Sequence, residues 1–150
     1  MRTEQKETNW ELQFLAYRKA LVKLTVAINI FKPEEDEENF ELEEVDELLK
    51  EGLIHRFEYT YGMACNCMKM YVESQGHKTI SGTANIIREA SRMDLIADAE
   101  AWQKMITTIS NAAHTYASST TAEIFEKLID SDYALFLAFE TKMKTLRSVA

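Results

Sequence analysis

Apolar side chains recur along the start of the chain with a helical beat. Trp10, Phe14, Tyr17, Leu21, Leu24, Ile28 and Phe31 are separated by 4, 3, 4, 3, 4 and 3 residues. That spacing keeps them on one stripe of a helix, like the a and d positions of a heptad. Pro33 is expected to end the helix, because its ring cannot continue the hydrogen-bond ladder. A second helix is predicted from Phe40 or Leu42 to about Gln75, with a possible bend at Gly52. Its stripe is Leu49, Leu53, Phe57, Tyr61, Ala64, Met68 and Tyr71, and Gly76 suits the position just past a helix end. A short helix over 82–93 turns Ile86, Ile87, Ala90 and Met93 inward, with Ser81 or Thr83 as its N-cap. Asp98 caps a further helix to about Ala113, striped by Trp102, Met105, Ile106, Ile109 and Ala113. Thr120 and Glu123 form a capping box for the last helix, whose inward residues are Ile124, Leu128, Leu135, Phe139, Met143 and Leu146. No segment alternates apolar and polar residues between turn markers, so strands are not expected. The pattern predicts one all-α domain over residues 1–150: an up-and-down four-helix bundle with one short additional helix.

Composition agrees with few corners. The 150 residues include 4 Gly and 1 Pro, too few for the turns of a β-sandwich or barrel. The formal net charge is −8, but it is not spread evenly. Residues 34–51, EEDEENFELEEVDELLKE, hold 11 acids and one Lys, and the rest of the chain is close to neutral. The segment reads as a solvated acidic lead into a helix, where carboxylates suit the helix dipole, or as a docking surface for a basic partner. Overall acidity argues against non-specific binding to nucleic acid or an anionic membrane. The opening MRTEQKETNW lacks the apolar core of a signal peptide, and the one stretch of 18 residues without Asp, Glu, Lys or Arg, 105–122, is too rich in Ser, Thr and Asn to span a membrane. A cytoplasmic protein with no membrane partner is the expectation.

Few residues suggest catalysis. Cys65 and Cys67 diverge by roughly 200° around a helix, which makes a disulfide or shared metal improbable and two buried thiols the simpler reading. A di-iron site in a bundle needs Glu-x-x-His on two helices, whereas Glu51 and His55, like Glu73 and His77, are four apart. Phosphate-loop, dinucleotide-binding and nucleophile-elbow motifs are absent from the sequence. One stripe stands out. Thr107, Ser110, Asn111 and His114 fall at i, i+3, i+4 and i+7 and carry no formal charge with His neutral. A solvated face usually carries Lys and Glu, so an uncharged polar stripe suggests contact with a subunit, pocket or ligand. His114 is able to titrate near neutral pH, or it is a structural His bonded to a neighbouring helix. Tyr116 follows two residues on, as a site residue or a core aromatic. In HRFEYTY, Arg56 and Glu58 bracket Phe57, as surface charges or as part of an interfacial Arg–Glu network.

From Trp10 to about Leu137 the chain resembles the nucleotidyltransferase substrate-binding protein family, within the broader HEPN superfamily. The carriers are GLIHRFEYTY with MKMYVESQG (52–76), IREASRMDLIADAEAW (87–102) and HTY (114–116). The resemblance implies a helical bundle, usually dimeric, working beside a separately encoded minimal nucleotidyltransferase, as one two-domain enzyme split into two chains. Many such pairs behave as toxin–antitoxin modules. It implies no cofactor on this chain, with magnesium and nucleotide held by the partner chain, and a homodimer within a hetero-oligomer. Taken with the uncharged stripe and the Arg56–Glu58 pair, it makes Arg56, Glu58, Ser110, Asn111, His114 and Tyr116 the expected substrate- or partner-binding residues. The superfamily's Arg-x4-6-His motif cuts RNA, and in relatives that keep His-x-Tyr the Tyr can accept AMP. Here His114, Thr115 and Tyr116 match the second half, but Ile109 stands where the Arg is expected and Ser110 where Asn is usual. Cleaving a phosphodiester needs a cation for the developing charge, and Ile109 supplies none. A catalytic His114, and RNA as a partner, therefore belong to the alternative of a ribonuclease toxin. A dimeric scaffold with a lapsed site is a further alternative.

Overall fold

In the computed structural model the described residues are 9–31, 40–76, 79–115 and 121–149. They form α1 (Asn9–Ile30), α2 (Phe40–Ser74), α3 (Thr83–Arg92), α4 (Ala99–Thr115), α5 (Thr121–Lys127) and α6 (Tyr133–Val149). A π-helical turn, Leu128–Asp132, joins α5 to α6, so the last two run as one helix. No strand occurs among the described residues.

Neighbouring long helices run antiparallel. On α1 and α2, the Lys23 carbonyl accepts from Arg56 Nη1 (2.7 Å), and further along the pair the Cys67 thiol faces the Trp10 carbonyl (3.8 Å). The ion pairs Arg18–Glu140 and Glu11–Arg147 run the same way between α1 and α6. The result is an up-and-down bundle of four long helical rods, with α3 as the short extra helix against α2 and α4.

The core is aromatic and draws on every rod. The Trp102 ring of α4 lies 5.6 Å from Phe136, 5.8 Å from Phe139 and 5.9 Å from Tyr61, centroid to centroid. Tyr17 of α1 packs edge-on to Phe139 at 5.2 Å. Buried phenols need partners, and both have them. Tyr17 donates to the Phe136 carbonyl (2.6 Å) and Tyr61 to the Trp102 carbonyl (3.0 Å).

The expected stripes hold with local corrections. In α1 all but Ile28, which is half-buried, are buried. Gly76, at φ 92°, follows α2 as expected. The N-cap of α3 is Gly82, at φ 90° and without a side-chain cap bond, not Ser81 or Thr83. In α4, Asp98 Oδ1 does cap, accepting from the Ala101 amide (3.0 Å). Ile106, however, is exposed: the 102, 105, 109, 112 register puts Ala112 inside and leaves Ile106 at the edge. In the last rod Phe136 takes the centre and its neighbour Leu135 is half-buried at the margin. Pro33 and Thr120, and so the helix stop and capping box assigned to them, lie outside the described residues.

Candidate functional site

The C-terminal half of α4 meets the N-terminal half of α2, and between them opens a cleft of about 160 Å³ lined by Glu51, Ile54, His55, Glu58 and Ala113. Glu51, His55 and Glu58 stand at i, i+4 and i+7, so one face of α2 presents two carboxylates and an imidazole. Ile54, buried, contributes an apolar wall. The cleft is shallow, and all three polar residues are exposed.

His114 follows Ala113 directly. Its Nδ1 lies 2.8 Å from the Ser110 carbonyl one turn back. A carbonyl only accepts, so Nδ1 carries the proton and Nε2 is left to accept, or to donate once protonated. Ser110, Asn111 and His114 are all exposed, and Gln103, Ile106 and Thr107 extend the same uncharged outer surface. Ile109 points the other way and is 1% exposed in the core. The position expected to carry a cation is therefore not on the His114 face at all.

The sequence pairing of Arg56 with Glu58 separates in three dimensions. Arg56 reaches α1 and donates to the Lys23 carbonyl, while Glu58 lines the cleft beside α4. Thr60, one turn on from Arg56, is fully buried and donates to the Arg56 carbonyl (2.6 Å) with a longer contact to Ala20 (3.4 Å). Arg56 is thus a tie between helices, and no Arg56–Glu58 bond forms. Tyr116 lies outside the described residues. Sequence reasoning set aside Glu51 and His55 because their spacing does not suit two metals. The signal that joins them to Glu58 is the i, i+4, i+7 repeat.

A second cleft, about 370 Å³, lies at the other end of α4, lined by Asp98, Glu100, Lys104, Lys127, Ser131, Asp132 and Leu135 among others. The Asp132 side chain is only 3% exposed and pairs with Lys127 Nζ at 3.1 Å. Lys127 also donates to Thr108 Oγ1 of α4 (3.3 Å). Residues five apart do not share a face of an α-helix. The i→i+5 bonding of the π turn stacks Lys127 over Asp132. Burial pushes the Asp132 carboxyl above its usual range, and Lys127 pulls it partly back.

Cys65 and Cys67 are both buried and free, and burial pushes each thiol up to about 12. They stay protonated at neutral pH and are poor nucleophiles or ligands. Among the described residues no three His, Cys, Asp or Glu side chains converge to hold a metal ion. No helix among them is long and apolar enough to cross a membrane.

Comparison with protein families gives a match to nucleotidyltransferase substrate binding protein like, over residues 12–145. A search of curated proteins gave no match. The match spans nearly the whole chain, and this protein belongs to that family.

Proposed function

We propose that this member of the nucleotidyltransferase substrate-binding family is the accessory subunit of a two-component nucleotidyltransferase, shaping the acceptor site for a separate minimal nucleotidyltransferase chain. In this reading the partner chain carries nucleotide and magnesium, and this chain contributes binding surface and no cofactor. The observation that carries it is the family match over 12–145. The local geometry supports a binding role over catalysis. His114 has its Nε2 turned to solvent, but Ile109 is buried, so no cation stands beside His114 from the position that a ribonuclease would use. The charge on a reacting phosphate is then left to the partner's metal ions.

The uncharged stripe Ser110–Asn111–His114 fits a contact between two copies, which would set the two α2–α4 clefts near one dimer seam. The partner's basic surfaces would be drawn toward Glu51 and Glu58. Tyr116, two residues past His114, is the candidate acceptor if the partner transfers AMP to this chain.

The test is co-expression with a minimal nucleotidyltransferase encoded beside this chain, followed by intact-mass measurement with magnesium and ATP. A stable complex is expected, in which this chain gains mass in steps of AMP that Tyr116→Phe abolishes. A complex without added mass would leave a binding-only subunit. No complex, together with RNA cleavage by the isolated chain that His114→Ala abolishes, would replace this reading with a ribonuclease toxin.

A further inference from the structure

α1 is apolar on both sides. Opposite its buried stripe runs a second one: Leu12, Leu15, Lys19, Val22, Val26 and Ile30, spaced 3, 4, 3, 4 and 4. The buried stripe explains only half of the helix. On the outer stripe Leu12 is 52% exposed, Val22 62%, Val26 46% and Ile30 56%. It is about 27 Å long, at 1.5 Å per residue. Among the described residues, four of the nine large apolar side chains that are exposed lie on α1. A helix with apolar stripes on two opposite sides has more apolar surface than one neighbour covers.

The charges on the stripe restrict what covers it. No Asp or Glu occurs between Leu12 and Ile30, whereas Arg18, Lys19 and Lys23 do. Arg18 turns to Glu140 on α6. Lys19 and Lys23 are exposed, and among the described residues no carboxylate pairs with either. Both lie symmetrically about the middle of the stripe. A second copy packed here about a two-fold axis would pair the same patch with itself. In either direction of pairing, that brings four ammonium groups together at the centre, a like-charge clash. A different chain is favoured, one whose apolar ridge is flanked by carboxylates that meet Lys19 and Lys23.

We propose that the outer face of α1 docks the nucleotidyltransferase chain, receiving an apolar helix or strand flanked by acidic residues. This rests on the accessory-subunit reading above for the identity of the partner. The surface is separate from the α2–α4 cleft and from the α4 stripe, so docking and site formation fall on different faces of the bundle.

The test uses the full chain and the purified minimal nucleotidyltransferase, with affinity measured by calorimetry and fold by circular dichroism. Val22→Glu with Val26→Glu, both on exposed positions, should weaken the complex at least 100-fold and leave the helical signal and the oligomeric state of the free chain unchanged. Lys19→Glu alone should weaken it about tenfold and flatten its salt dependence. Leu137→Glu, also at an exposed position but on α6, should leave affinity unchanged. A complex that survives Val22→Glu/Val26→Glu within twofold overturns the proposal and leaves the accessory role standing. No complex with the wild-type chain overturns both. A wild-type dimer that these two substitutions convert to monomer would assign the face to a second copy. Wild-type cosedimentation with phosphatidylserine vesicles, lost in the double variant, would assign it to a membrane surface. Either result overturns the proposal.

Discussion

The two clefts at the ends of α4 use the same residue types in opposite ways. At the N-terminal end Lys104 pairs with Glu100, and Lys127 with the buried Asp132, so each cation has its anion inside the chain. At the C-terminal end Glu51, His55 and Glu58 share a cleft that, among the described residues, no Lys or Arg lines. The first arrangement closes on itself and contributes to stability. The second leaves negative charge turned outward, which does little for the fold and suits recognition. A charged cleft is thus informative by its balance of partners more than by its size: the larger of the two is the self-contained one.

That contrast breaks first on stability. Lys127→Ala would leave the buried Asp132 carboxylate without its ion-pair partner. Losing one member of a buried pair costs about 3–5 kcal/mol, and the half-exposed lysine brings the expectation here to about 2–3. Glu51→Gln and Glu58→Gln should each stay within about 0.5 kcal/mol of wild type, as exposed substitutions do. Urea titration of the three variants decides it, and equal losses would erase the distinction between the clefts.

The next effect is on assembly. Asn111→Arg places a charge in the proposed α4 contact and should weaken self-association more than tenfold, roughly 2 kcal/mol of desolvation without a partner. Light scattering across a dilution series reads it. A wild-type chain that is monomeric at every concentration would remove α4 from the list of interfaces.

A smaller effect follows from the raised Asp132 carboxyl. Its folded state holds the proton to higher pH than the unfolded chain does. Between the ordinary carboxylate value and the raised one, the folded state therefore binds more protons. The contribution of this group is fully present below that window and is lost as pH rises through it. Asp132→Asn should flatten this limb of the stability-versus-pH curve while Glu58→Gln leaves it in place. A limb unchanged in Asp132→Asn would show that Lys127 compensates burial completely.

The smallest effect concerns the acidic segment that leads into α2. Neutralising Glu34, Glu35, Glu37 and Glu38, which lie outside the described residues, should slow association with the nucleotidyltransferase by about three- to tenfold at low salt and leave dissociation nearly unchanged. Stopped-flow traces at two ionic strengths separate the two rates. Unchanged association would mark the segment as a solvated lead.

Legibility followed periodicity. The inner stripe of α1 was readable because it holds all the aromatic side chains of the helix on one unbroken beat, whereas the competing outer stripe is aliphatic and interrupted by Lys19. In the last rod Leu135 and Phe136 are adjacent apolar residues, and the beat alone does not choose between them. The larger ring won the place against Trp102. The π turn was not foreseen, although an Asp at an inward position, five residues after a Lys, was the available sign. At the candidate site, the lack of charge on Ser110, Asn111 and His114 suggested a covered face, and in the single chain all three are exposed. That Glu51 and His55 face the end of α4, and that Arg56 turns to α1, depends on how α2 packs against two neighbours, which no local pattern encodes.

The aromatic centre also has a spectroscopic consequence. Trp102, almost wholly buried, lies against rings of α2 and α6 and is fixed in place while those two rods stay docked on α4. Trp10, at the start of α1, sits edge-on to Tyr71 of α2 at 5.1 Å. The molecule therefore carries two fluorophores of different scope. With Trp10→Phe, emission reports the packing of α2, α4 and the last rod around Trp102. With Trp102→Phe, it reports the seating of α1 on α2 alone. Curves from the two single-tryptophan chains superimpose for a protein that comes apart in one step, and part company where α1 frays ahead of the rest.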